Sequence, residues 1–225
     1  MWPLIRKDLI FNRRVLGLNY AFYLLLLPVY AALVGNLPPA VYAGFAAVIC
    51  SIFPLTLVAR EDKFRTSALT CSLPVTRDAI VSARYWGGGI VALGATALIL
   101  LAGYLVPHTG FAARGGGVGP ALLVAFVLVG LLQALLLPFT IRYGLAGLVV
   151  FLVGTQVLGV VLLLTGIFVG LDLIRGVIEA VGATLRVVRE KAGDGGLAVT
   201  LVVAVVLLNL VSHGQSRRLF RAREL

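Results

Sequence analysis

Six uncharged apolar runs divide this chain, at about 16–35, 40–59, 86–107, 118–140, 145–171 and 197–213. Each comes near the roughly 20 residues that a helix needs to cross a hydrocarbon core. The runs are continuous, without the alternation of a membrane-spanning β-strand. None holds an Asp, Glu, Lys or Arg in its interior. The whole chain is 60% hydrophobic and 12% charged, with a mean hydropathy of +1.06. A soluble domain carries about twice that charged fraction. These features predict an all-α, polytopic membrane protein, with residues 1–225 forming one transmembrane domain of six helices.

Charge orients the spans. Arg6, Lys7, Arg13 and Arg14 precede the first run, and Arg60, Lys63, Arg65, Arg77 and Arg84 follow the second. Arg142 separates the fourth from the fifth, and Arg217, Arg218, Arg221 and Arg223 follow the sixth. The opposite side holds Arg114, Arg175, Arg186, Arg189 and Lys191. The positive-inside rule then predicts a multi-pass protein of the cell membrane with both termini in the cytoplasm. Six spans require both ends on one side, so count and charge agree. The net charge of +10 would suggest nucleic acid in a soluble protein. Here it is explained by cytoplasmic loops, no basic patch with interleaved aromatics appears, and no nucleic-acid partner is expected.

Two segments are amphipathic. In residues 1–15, Trp2, Ile5 and Leu9 share helical spacing, with Arg6, Lys7, Arg13 and Arg14 elsewhere on the wheel. This reads as a helix in the cytoplasmic interface, against the plainer reading of a topogenic flank. In the external connection 172–196, Leu173, Ile174, Val177, Ile178, Val181, Leu185 and Val188 form one stripe. Asp172, Arg175, Glu179, Arg186 and Glu190 lie opposite, and Arg175–Glu179 and Arg186–Glu190 are spaced to pair weakly. That pattern predicts an external helix before the last span, re-entrant or interfacial, with Gly176 and Gly182 as places where it could break.

Several chemistries are missing from the pattern. No GxxxxGK[ST] loop occurs, so the chain is not expected to hydrolyse nucleotide itself. No catalytic constellation or metal-ligand cluster is expected either: Cys50 and Cys71 are not a CxxC pair, and His108 and His213 read as boundary residues. Spans without carboxylates are unlike those of ion-coupled carriers, which hold and release the driving ion on such groups. Asn19, Gln133, Gln156 and Asn209 do stand in spans, where lipid offers no hydrogen bond. They read as interhelical glue, with contact to a substrate in a pathway as the alternative. Gly166 and Gly170 form a GxxxG that permits close helix contact, including with a second copy. Pro28, Pro54 and Pro138 are expected to kink their spans.

Between the second and third runs lies a charged block at 60–85, REDKFRTSALTCSLPVTRDAIVSARY. Glu61 and Asp62 precede a short helical run to about Leu69, and Pro74 interrupts it. Thr76 then offers an N-cap oxygen with Asp78 in the favourable first turn. A second helix through Ile80, Val81 and Arg84 feeds the third span at Tyr85 and Trp86, aromatics suited to the membrane interface. The predicted shape is a helix, a proline elbow and a re-entry helix, able to pass force from a soluble partner to two spans.

The basic LIRKDL…NRR of Leu4 to Arg14, the pair of spans, and the ED…SLPVTRDAIVSARY of Glu61 to Tyr85 resemble the small permeases of type-2 ATP-binding-cassette (ABC) exporters. The six-span plan covers the whole chain, and the stretch 61–85 is its motif-like part. The resemblance implies a permease that works as a homo- or heterodimer with a separate ATPase, which would hold the ATP and Mg. It further implies an interfacial connecting helix at the N-terminus and a coupling helix in the loop 60–85. On this chain the coupling role would fall on Glu61, Asp62, Arg65, Thr66, Leu69, Thr70 and Leu73, with Pro74, Thr76 and Arg77 as the elbow. The reading from a different class is a nucleotide-independent carrier, or an immunity or sensory scaffold in the membrane.

Overall fold

The computed structural model describes residues 2–34, 38–63, 75–106, 118–169 and 172–221, and every element in them is a helix. In chain order these are α1 (Trp2–Val34), α2 (Pro39–Lys63), α3 (Arg77–Leu105), α4 (Val118–Val169) and α5 (Asp172–Arg221). Among the described residues, four stretches are long and apolar enough to cross a membrane: Asn12–Ala32, Arg77–Leu105, Val118–Gly144 and Gly193–Arg221. Pro39–Ile52 is a shorter apolar stretch.

The N-terminal segment is no separate element. α1 runs unbroken for 33 residues, through the basic stretch and into the first apolar run. At 1.5 Å per residue that is about 50 Å, longer than the ~30 Å hydrocarbon core, so one end projects beyond it. Of its expected apolar face, Ile5 is buried and Leu9 packs on the same cluster, whereas Trp2 is exposed. Leu4 is buried beside Ile5.

α4 and α5 each contain a break at a glycine. Gly144 has φ 60° and ψ −137°, and Gly193 has φ 69° and ψ −179°. Both are backbone states that side chains with a Cβ avoid. At Gly144 the chain doubles back. A Cβ on Gly147 would lie 2.5 Å from the carbonyl oxygen of Phe139, eight residues earlier; in a straight helix those residues stand about 12 Å apart along the axis. The turn falls in the stretch around Arg142 that interrupts the apolar sequence. In α5 the helix continues through Gly176 and Gly182 and breaks at Gly193, so those two glycines are not the break points. Arg189 and Asp194 clasp the turn with an ion pair of 2.6 Å. The apolar stripe of 172–191, its two proposed ion pairs and Gly166–Gly170 involve side chains outside the described residues.

Two clusters hold the bundle. The middle is rich in alanine: Ala31, Ala43, Ala46, Ala47, Ala92, Ala95, Ala121 and Ala125 pack with Tyr42, Cys50, Ile99, Leu100 and Val129. Small residues let helix backbones approach closely, the main route to association where lipid is as apolar as the protein. Tyr42 is fully buried there, and its hydroxyl donates to the carbonyl of Ile99 at 2.9 Å. The second cluster joins Leu4 and Ile5 of α1, Leu55 of α2, Ile80, Val81, Ala83 and Tyr85 of α3, Leu136, Leu137 and Ile141 of α4, and Phe220 of α5. The N-terminal segment, both flanks of the 60–85 loop, the Arg142 turn and the end of α5 therefore share one end of the bundle. These are the four basic segments that charge alone assigned to one side.

Candidate functional site

The site is built where the charged block returns to the bundle. Thr76 caps α3: its backbone is extended (φ −70°, ψ 146°) and its hydroxyl accepts from the Ala79 amide at 3.2 Å. This satisfies one of the amide groups that a helix start leaves unpaired. Asp78 stands in the first turn, and Arg77 opens the helix. α3 then runs without interruption to Leu105, so re-entry helix and span form one rigid rod.

That rod is zipped to the last helix. Asp78, Ser82 and Tyr85 lie on one face of α3, at spacings of four and three. They meet Ser212, His213, Ser216, Arg217 and Arg221 of α5 in antiparallel order. Arg221 grips the Asp78 carboxylate with two guanidinium nitrogens, the Nε bond being 3.0 Å. Arg77 donates to the backbone carbonyl of Arg221 at 3.0 Å. One turn deeper, Arg217 donates to the Ser82 hydroxyl at 3.0 Å, and that oxygen lies 2.9 Å from His213 Nε2. Deeper still, the buried Tyr85 hydroxyl shares hydrogen bonds with Ser212 at 2.7 Å and Ser216 at 2.8 Å. Ser212 also donates to the Ala134 carbonyl of α4 at 2.6 Å. Arg84 stands over the Phe220 ring, 5.6 Å from its centre.

Electrostatics favour the outer rung. Hydrogen bonding to Arg221, reinforced by its charge, holds the Asp78 carboxyl below the usual carboxylate range and raises Arg221 in return. Asp78 lies two turns before the apolar run that begins at Trp86. A depressed folded pKa means the contribution is complete above the unfolded carboxylate value and is lost as pH falls through the folded one. The rung therefore holds at neutral pH and opens only under acid. The inner rung is of a different kind, because Tyr85 and Ser216 are buried. Tyr85→Phe strips Ser216 of that partner and should cost about 1–2 kcal/mol, read as a lower melting temperature in detergent.

Gln133 and Asn209 continue the seam inward. The Gln133 amide donates to the Tyr85 carbonyl across α3 and α4. Asn209 donates to the Gly130 carbonyl at 3.0 Å across α4 and α5, and to Val205 in its own helix at 2.9 Å. Glycines make room for both. A Cβ on Gly89 would stand 3.0 Å from Gln133 Oε1, and one on Gly130 would stand 2.2 Å from a Val205 methyl. Asn19 sits half-buried on α1. The Gln156 side chain lies outside the described residues.

Of the residues assigned to coupling, the structure describes Thr76 and Arg77, together with the backbone of Glu61 and Asp62 in the last turn of α2. Arg65, Thr66, Leu69, Thr70, Leu73 and Pro74 lie outside the described residues. Sequence reasoning missed the zipper. It treated Arg217 and Arg221 as topogenic charges, His213 as a boundary residue and Tyr85 as an interfacial aromatic. Tyr85 is buried, while Trp86 beside it faces outward at 62% exposure. The signal available was the helical spacing of polar residues on both segments. Among the described residues, no group of His, Cys, Asp or Glu could hold a metal ion.

A bundle of long apolar helices, with its basic segments gathered at one end and tied by a polar seam, defines a polytopic membrane protein. A family model for ABC-2 family transporter proteins matches residues 3–221. The chain belongs to that family, and is thereby the membrane component of an ABC transporter. No curated protein and no solved structure matches it.

Proposed function

We propose that this chain is the permease subunit of an ATP-driven exporter in the cell membrane, with six spans and both termini in the cytoplasm. Two permease chains line the translocation pathway. Separate ATPase subunits, carrying ATP and Mg, bind at the basic end. The loop 60–85 is the contact, with Glu61, Asp62, Arg65, Thr66, Leu69, Thr70 and Leu73 on its coupling helix and Pro74, Thr76 and Arg77 at its elbow. The single observation that carries this reading is the gathering of both flanks of that loop with the N-terminal segment and the end of α5 at one end of the bundle, in a chain of this family.

The zipper supplies the transmission. A push on the elbow enters α3 through the Thr76 cap, and Asp78 passes it to α5 through Arg221. ATP-driven closure of the ATPase pair would thus move α3 and α5 together. The test is a charge swap. Asp78→Arg and Arg221→Asp should each lower permease-dependent ATP hydrolysis in the reconstituted complex while the protein still inserts. The double swap should restore most of it. Single variants with normal activity would remove α5 from the mechanism.

A further inference from the structure

Beyond the zipper, α3, α4 and α5 enclose a groove of about 340 Å³. Its body is apolar, lined by Trp86, Ile90, Leu93, Phe126 and Leu210, and it ends at His213. It opens sideways, since Trp86, Ile90 and Leu210, all part of its lining, are more than half exposed on the outer surface of the bundle. Entry is thus from hydrocarbon. The lining runs from Tyr85 to Leu93 on α3 and from Val205 to His213 on α5, about 12 Å at 1.5 Å per residue.

The polar end abuts a cation, Arg217, one turn beyond His213 on α5. His213 Nε2 and the Arg217 guanidinium meet on the same Ser82 oxygen. Arg217 Nε is buried without a hydrogen-bond acceptor among the described residues. No carboxylate stands in the groove lining, and Asp78 is already held by Arg221. An apolar body that ends beside a cation, with no carboxylate in its lining, fits one occupant. We infer that the groove holds an anionic phospholipid of the bilayer, with its acyl chain along Ile90, Leu93, Phe126 and Leu210 and its headgroup phosphate at Arg217.

Trp86 reports on the groove directly. The chain has two tryptophans, so Trp2→Phe leaves Trp86 alone. That protein is reconstituted in phosphatidylcholine vesicles containing a minor fraction of brominated phosphatidylglycerol or brominated phosphatidylcholine, whose bromines quench tryptophan on contact. The anionic lipid should quench at roughly fivefold lower mole fraction, the scale expected of one basic residue near a membrane surface. Arg217→Gln should abolish the preference and Arg217→Lys should keep it. Arg218→Gln, which removes the same charge one residue away, should also keep it. Equal quenching by the two lipids, or the same preference in Arg217→Gln as in Arg218→Gln, would overturn the proposal. So would a Trp86 shielded from both lipids, which would place a protein surface over the groove.

Discussion

Reversing Glu61 and Asp62 to lysine is expected to release the ATPase while leaving the permease inserted. Both residues belong to the last turn of α2 and begin the segment proposed as the coupling contact. Truncating or opposing a charge in a buried interface costs about 3 kcal/mol, roughly a hundredfold in affinity. The double reversal also turns a mixed block strongly basic, because Arg60, Lys63 and Arg65 surround the two acids. ATP hydrolysis in the reconstituted complex should lose its dependence on the permease, and less ATPase should co-purify. Insertion should be unaffected, since neither acid lies in the apolar runs that drive it. Unchanged recovery and unchanged activity would show that the acidic start of the loop makes no contact that matters.

The second large effect is expected at the glycines that set helix approach. Gly147→Ala places a Cβ 2.5 Å from a backbone oxygen of Phe139. No rotamer can relieve a clash with backbone, so the turn at Gly144 must open, at a cost of about 1–3 kcal/mol. Gly130→Ala meets instead the methyl of Val205 at 2.2 Å, and valine is stiff in a helix. Both variants should melt at lower temperature. The two should respond differently to a second substitution: Val205→Ala should rescue Gly130→Ala, while Phe139→Ala should not rescue Gly147→Ala. Rescue of both would mean that the Gly144 turn is looser than a backbone contact requires.

Much of the architecture was legible because its causes are local. Uninterrupted apolar runs give helices, Pro74 followed by Thr76 and Asp78 gives the start of α3, and the interruption at Arg142 gives the turn at Gly144. The asymmetry of Arg and Lys grouped the four segments that the cluster around Leu4, Tyr85 and Phe220 brings together. Other features depend on partners far away in sequence. Asp78, Ser82 and Tyr85 have helical spacing, as do His213, Arg217 and Arg221, but nothing near either set says that they face each other. The continuity of α1 was obscured by its charges. Arg6 to Arg14 suggested a separate element, yet charge does not stop a helix, and Leu4 and Ile5 find their burial in the cluster shared with Ile80, Val81 and Tyr85 of α3. In α5 the sequence pointed to Gly176 and Gly182 as places for a break. Helix propensity marked those two, but the positive φ falls at Gly193, where Arg189 and Asp194 close the turn.

The central claim is that this permease works with a separate ATPase. It is tested most directly by affinity purification from native membranes, under conditions that keep complexes intact, with every co-purifying chain identified. The account predicts a soluble subunit carrying a GxxxxGK[ST] phosphate loop, recovered in stoichiometric amount. A clean oligomer of this chain alone, with no such subunit, would contradict it and favour a nucleotide-independent carrier or scaffold.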